Sequence, residues 1–265
     1  MPDQVMIITG ASSGIGAAAA RRLARDRVRL TLAARREDRL REVASDAERL
    51  GSEVLIVPAD VTKGDDIRRM VQATLDRWGR VDVLVNNAGI SFDEPITGLE
   101  SAKLQQEVQV NLIAPMECAQ AVLPVMLRQQ SGHIINVASI EALVATPGSS
   151  VYCATKFGLL GYSESIRRRL RRTGVHVSTF CPGYTVSELT PRLKAHVEGR
   201  PDAPPQPGLM SAEYVADAIA RLIRHPRRLS VVPNRWRPLV FVGVVFPGVA
   251  DALVSRFKAK RSTTA

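Results

Sequence analysis

Tyr152 and Lys156 lie four residues apart, a spacing that puts both side chains on one face of a helix. An isolated tyrosine titrates near pH 10, too high for efficient proton exchange near neutrality. A neighbouring ammonium favours the phenolate, so the pair reads as an acid/base tyrosine with a tuning cation. Alone, such a pair is more often surface decoration. Its companions change the weighting. Ser139 stands thirteen residues before Tyr152, just past an apolar run, and Asn111 lies further upstream.

A second group of residues suits a phosphate ligand. Gly10, Ser12, Ser13, Gly14, Ile15 and Gly16 follow the apolar run Val5–Ile8 and open a helix-periodic stretch. Glycines allow a tight turn and let backbone N–H groups approach a pyrophosphate at a helix N-terminus. The second apolar run ends in Ala33-Ala34-Arg35-Arg36. A carboxylate there would accept bonds from the ribose of NAD, whereas guanidinium groups suit a 2′-phosphate. Arg35 and Arg36 therefore favour NADP over NAD, although Glu37 and Asp38 temper the preference.

The elements that must position these side chains alternate along the chain. Strands are expected at 5–8, 28–33, 54–57, 81–85, 134–137, 175–180 and 229–232. Helices are expected near 15–25, 37–50, 65–78, 152–172 and 212–223. Residues 100–130 read as helical, with Pro115 and Pro124 as bends or breaks. Strands apolar on both faces and alternating with helices imply an α/β fold, a single doubly wound parallel sheet (Rossmann-like) with helices on both faces. The proline-rich stretch 184–210 after the sixth strand reads as a lid over the ligand edge. Residues 1–235 then form the dinucleotide-binding catalytic domain, and 236–265 a basic, apolar C-terminal extension.

Taken together, the glycine turn, Asn86-Asn87-Ala88-Gly89, the Ser139–Tyr152 spacing, the Tyr-x-x-x-Lys pair and Pro182-Gly183 resemble the short-chain dehydrogenase/reductase family over about residues 5–235. The resemblance implies an NADP-dependent oxidoreductase that interconverts a ketone or aldehyde with an alcohol. Tyr152 would be the general acid/base, and Lys156 would lower its pKa and hold the nicotinamide ribose. Ser139 would polarise the substrate oxygen, and Asn111 would anchor a water behind Lys156. Asp60 and Val61 match the family's adenine contact, Asn87, Ala88 and Gly89 its adenosine-side wall, and Pro182 and Gly183 its nicotinamide border. The carboxamide contact falls to Thr185 or to Ser187. The resemblance also implies a homo-dimer or homo-tetramer built on the helices around 105–130 and 152–172.

The rest of the sequence limits the alternatives. Cys118, Cys153 and Cys181 lie in apolar surroundings without ligand spacing and read as free thiols. His133, His176, His196 and His225 likewise suggest no metal site. The net charge of +10 is concentrated: 10 of 36 basic residues but one of 26 acidic residues lie in 221–265. With a nearly neutral body and little but Trp236 and Phe257 in the tail to stack bases, a nucleic-acid binder is excluded. No uninterrupted apolar run reaches the ~18 residues of a membrane span. The N-terminus lacks the pattern of a secretory signal, and a cytoplasmic protein is expected. Pro238–Val249 is apolar and flanked by cations, which suits a peripheral contact with an anionic membrane or packing on its own domain. Together with Ala142–Ala145, it points to a hydrophobic carbonyl or alcohol substrate. A dinucleotide-sensing or membrane-scaffolding protein without catalysis is the alternative.

Overall fold

Seven strands form one parallel sheet in the order β3-β2-β1-β4-β5-β6-β7. They are β1 (Val5–Thr9), β2 (Arg29–Ala34), β3 (Glu53–Pro58), β4 (Val83–Asn86), β5 (Gly132–Val137), β6 (Val175–Pro182) and β7 (Leu229–Val232). The computed structural model describes residues 3–92, 98–146, 149–186, 209–246 and 248. Most of the expected lid, 187–208, and the tail beyond 248 lie outside these residues, Ser187 among them.

Side chains alternate across the sheet, so each strand feeds two cores. Met6, Ile8, Leu30, Leu32, Val83, Val85, Ile135 and Val137 face one core, built with α1 (Gly14–Ala24), α2 (Glu37–Arg49) and α7 (Ala212–Arg224). Ile7, Leu84 and Ile134 face the other, built with α3 (Gly64–Trp78), α5 (Ala114–Gln129) and α6 (Ser150–Arg169). Thr31 points into this second layer, where its hydroxyl bonds that of Thr74 at 2.8 Å. The chain order reverses beside β1, whose neighbours are β2 and β4. That reversal opens a crevice at the carboxyl ends of the strands, where ligands of open α/β sheets bind.

Two local expectations are corrected. The run Ser101–Gln129 is continuous: α4 (Ser101–Val108), a π-type turn at Gln109–Ile113, then α5. Pro115 follows directly on the π-type turn at the start of α5, and Pro124 lies inside that helix without ending it. Gln120, whose carbonyl Pro124 cannot bond, is exposed, so water can satisfy it. By length and composition this run also meets the measure of a membrane span. Half of its apolar window is buried within the domain, however, with Cys118, Ala119, Val122 and Met126 in the second core. Helix α6 stops at Arg169 rather than at residue 172, because Arg172 takes φ +71° and Gly174 φ +78° in the turn to β6.

Candidate active site

The glycine turn joins β1 to α1 at the crevice. Gly10 holds φ +66°, and a Cβ there would meet the Ala88 Cα at 2.8 Å; a Cβ on Gly16 would lie 2.3 Å from the Gly10 carbonyl oxygen. Both positions admit only glycine without rearrangement. Helix α1 begins at Gly14 with no acid in its first turn, so Ser13, Gly14, Ile15 and Gly16 bring the positive end of its dipole to the crevice. Arg36 reaches back over this turn and donates to Ser12 Oγ at 3.2 Å and Ser13 Oγ at 2.9 Å. Arg35 is exposed beside it. Asp60 and Val61 follow β3. The Asp60 carboxylate accepts from the Thr62 N–H and hydroxyl at 3.0 and 2.8 Å.

The opposite wall is locked to this turn. Thr9 Oγ accepts from the N–H groups of Asn87 and Ala88 at 3.0 and 3.1 Å. Asn87 Nδ2 donates to the Thr9 and Gly10 carbonyls at 3.0 and 3.2 Å. Gly89 lies between the two groups of interest: a Cβ on it would be 3.3 Å from Asn111 Oδ1 and 3.8 Å from Lys156 Nζ.

A buried polar ladder fixes α6 against the sheet. Asn86 Nδ2 donates to Asn136 Oδ1 at 2.9 Å, and Asn136 Nδ2 to Ser163 Oγ at 2.8 Å. Two turns back along α6, Lys156 Nζ donates to the Val137 carbonyl at 3.1 Å and stands 5.3 Å from the Tyr152 ring centroid. Tyr152 and Ser139 interact through their side chains, and Ser139 Oγ accepts from the Glu141 N–H at 3.1 Å. Asn111 sits in the π-type turn. It clamps Ile90 by accepting from its N–H at 2.9 Å and donating to its carbonyl at 2.8 Å. Asn111, Ser139, Tyr152 and Lys156 are thus brought together from three separate segments, each at most 9% exposed. Pro182 ends β6, and Gly183 follows it, its N–H donating to the Val232 carbonyl at 2.8 Å. Thr185 is buried, donates to the Gly183 carbonyl at 3.0 Å and bridges to Met210.

Burial dominates the electrostatics. It holds the Tyr152 hydroxyl well above the ordinary tyrosine range, with the Glu141 carboxylate adding to the effect and the Ser139 side chain opposing it. Burial also lowers Lys156 to about 8, while Cys181 and Glu107 act in the opposite direction. Desolvation is the largest influence on both groups. Cys118 and Cys181 are pushed up to about 12 by burial and are inert thiols.

Two acids escaped the sequence reading. Glu107 is 1% exposed on α4, and burial raises its carboxyl to about 7, against the pull of a Phe92 N–H bond and of Lys156. Its Oε1 has no partner among the described residues. The available signal was its place four residues before Asn111, on the same helical face. Glu141 is buried two residues past Ser139 and accepts from the hydroxyls of Thr146 and Ser149. It makes the wall beyond Ser139 more polar than Ala142–Ala145 alone implies.

The start of the C-terminal extension packs on its own domain. Trp236 meets Tyr184 edge to face at 6.1 Å, and Trp236 and Val240 pack against the cluster of Ala138, Ile140, Ala142, Leu159, Cys181 and Val231. On α8 (Arg237–Val245) Phe241 remains exposed, as does Phe246 just beyond it.

Comparison with known proteins agrees with this geometry. The short chain dehydrogenase family matches residues 4–198. A ketoacyl reductase of Nostoc sp. is 32% identical over 264 residues, 97% of this chain and 90% of that protein. A metagenomic short-chain oxidoreductase solved in complex with NADP is 31% identical with a TM-score of 0.74, covering 88% of this chain and 96% of that one. A short chain dehydrogenase/reductase from Burkholderia phymatum, solved with NAD, is 25% identical with a TM-score of 0.81, covering 91% and 92%.

Proposed function

Because the chain belongs to the short-chain dehydrogenase family, and is therefore an NAD(P)-binding oxidoreductase, we propose that it uses NADP to interconvert a lipophilic ketone or aldehyde with its alcohol. The observation that carries this reading is the convergence of Ser139, Tyr152 and Lys156, all buried, at the sheet edge that also holds the glycine turn. The cradle fits a dinucleotide, since Gly10 and Gly16 let the turn close tightly against Asn87 and Ala88 and no acid repels a pyrophosphate from the first turn of α1. When bound, the nicotinamide supplies or accepts the hydride.

The chain's own residues handle the proton and the orientation. Ser139 holds the substrate oxygen at the mouth of β5, and Tyr152 donates its hydroxyl proton to that oxygen in reduction or accepts one in oxidation. The high proton affinity that burial gives Tyr152 keeps it protonated at neutral pH, as a general acid requires. Lys156 holds positive charge against the ring and restrains the phenolate formed after transfer. Asn111 fixes the chain at Ile90 and keeps the π-type turn open behind Lys156. Arg36, already seated on Ser12 and Ser13, is the phosphate partner that favours NADP. The apolar cluster beneath Trp236 and Leu143 supports a lipophilic substrate.

Tyr152→Phe tests this assignment. Turnover should fall by at least 10²-fold while cofactor affinity stays within a few-fold; undiminished turnover would remove Tyr152 from its role.

Two associations belong to the same reading. Leu104, Leu127 and Phe157 are exposed on α4, α5 and α6, where a homo-dimer or homo-tetramer would form. Phe241, Val245 and Phe246 are exposed beside Arg235 and Arg237, which suits a cytoplasmic enzyme resting on an anionic bilayer. Trp236 and Val240 are engaged with the domain, so the membrane test is Phe241→Ser with Phe246→Ser. Loss of sedimentation with anionic liposomes is expected, and unchanged sedimentation would refute the contact.

A further inference from the structure

The edge of the sheet opposite the candidate active site carries a second cleft. It encloses about 310 Å³ between the end of α6, the start of β6 and the loop from α7 into β7. Five arginines line it: Arg167, Arg171 and Arg172 on one side, Arg227 and Arg228 on the other. Among the described residues the carboxylate that reaches them is Glu164, bound by Arg167 at 3.1 Å and Arg228 at 2.7 Å and also engaged by Arg168 at 3.3 Å. The guanidinium groups of Arg171, Arg172 and Arg227 have no partner among the described residues.

Compensation of the α6 dipole accounts for cations near the end of that helix. It does not account for Arg227 and Arg228, which a distant loop brings to face them. Converging like charges repel, and one anion in the cleft relieves that repulsion. The planar fork of arginine matches pairs of phosphate oxygens, and the volume lies at the small end of ligand pockets, about 300–1,000 Å³.

We propose that this cleft is a second anion site, separate from the dinucleotide crevice, which takes a small phosphate-bearing ligand with two or more negative charges. Arg171, Arg172 and Arg227 supply the charge.

The test is calorimetric titration of pyrophosphate into protein saturated with its dinucleotide cofactor, so that Arg36 and the glycine turn cannot report. Saturable binding is expected, weakened at least tenfold by the double variant Arg171→Ala, Arg227→Ala, with thermal stability and cofactor affinity unchanged. Affinity equal to wild type in that variant, or heats matched by sodium chloride of the same ionic strength, would overturn the site. Arg167→Lys keeps the charge but removes the fork. Several-fold weaker binding supports an oriented site, whereas no change reduces the cleft to nonspecific charge and overturns it. Vesicles containing phosphatidic acid that displace pyrophosphate would identify the ligand as a lipid headgroup phosphate, and failure to displace would identify it as a free ester; either outcome keeps the site.

Discussion

Replacing Glu107 by Gln should change how stability depends on pH. Burial raises this carboxyl from 4.5 to about 7, which at 1.36 kcal/mol per pH unit corresponds to about 3 kcal/mol. Between those values the folded chain keeps a proton that the unfolded chain has released. Wild-type stability therefore falls as pH rises from 4.5 to 7, with the full penalty present above 7. Glutamine is neutral throughout and keeps an acceptor for the Phe92 N–H, so the variant lacks this slope. Two other buried groups also contribute to the wild-type curve. His133, pushed down to about 3, adds stability as pH rises towards 6.5, and Lys156, at about 8 in the folded chain, adds it between about 8 and 10.5. Both remain in the variant and largely cancel in the difference below pH 8. Urea unfolding of both proteins at pH 5 and pH 7.5 is the assay. The variant should gain about 2 kcal/mol on wild type between the two conditions. Parallel curves would refute the placement of an ionisable carboxyl in this dry site.

Three further outcomes are expected. Arg36→Ala should weaken NADPH binding by about 10- to 100-fold, the worth of a charged hydrogen bond, with little change for NADH; equal losses for both in fluorescence titrations would dissociate Arg36 from the 2′-phosphate. Gly16→Ala places a Cβ 2.3 Å from the Gly10 carbonyl oxygen and should cost about 1–3 kcal/mol in chemical unfolding together with cofactor affinity; wild-type binding would show that the turn need not be so tight. His133→Gln should flatten the acid limb of stability, because the unfolded chain takes up a proton below pH 6.5 that the buried ring refuses until about 3; an unaltered acid transition between pH 4 and 6 would contradict this.

Much of the molecule was legible in the chain. The strands were placed within a residue or two because each is a short apolar run bounded by turn residues, and β1, β2 and β4 needed no tertiary information. The glycine turn was equally plain, since its dihedral demands are local. Proline misled at Pro124, where an exposed carbonyl at Gln120 let the helix continue, and the end of α6 was missed because Arg172 adopts a left-handed conformation that its type rarely signals. Glu107 and Glu141 were passed over, as glutamates on polar helical or loop stretches normally face water.

Sequence by itself determined the alternation of strands and helices and the shared face of Tyr152 and Lys156, because periodicity and chain spacing are covalent properties. Only the tertiary structure decided that desolvation governs Tyr152 and Lys156, that Glu107 carries a buried oxygen without a partner among the described residues, and that Arg227 faces Arg171 across a cleft. Burial depends on what other segments pack against a side chain, and those segments lie tens of residues away.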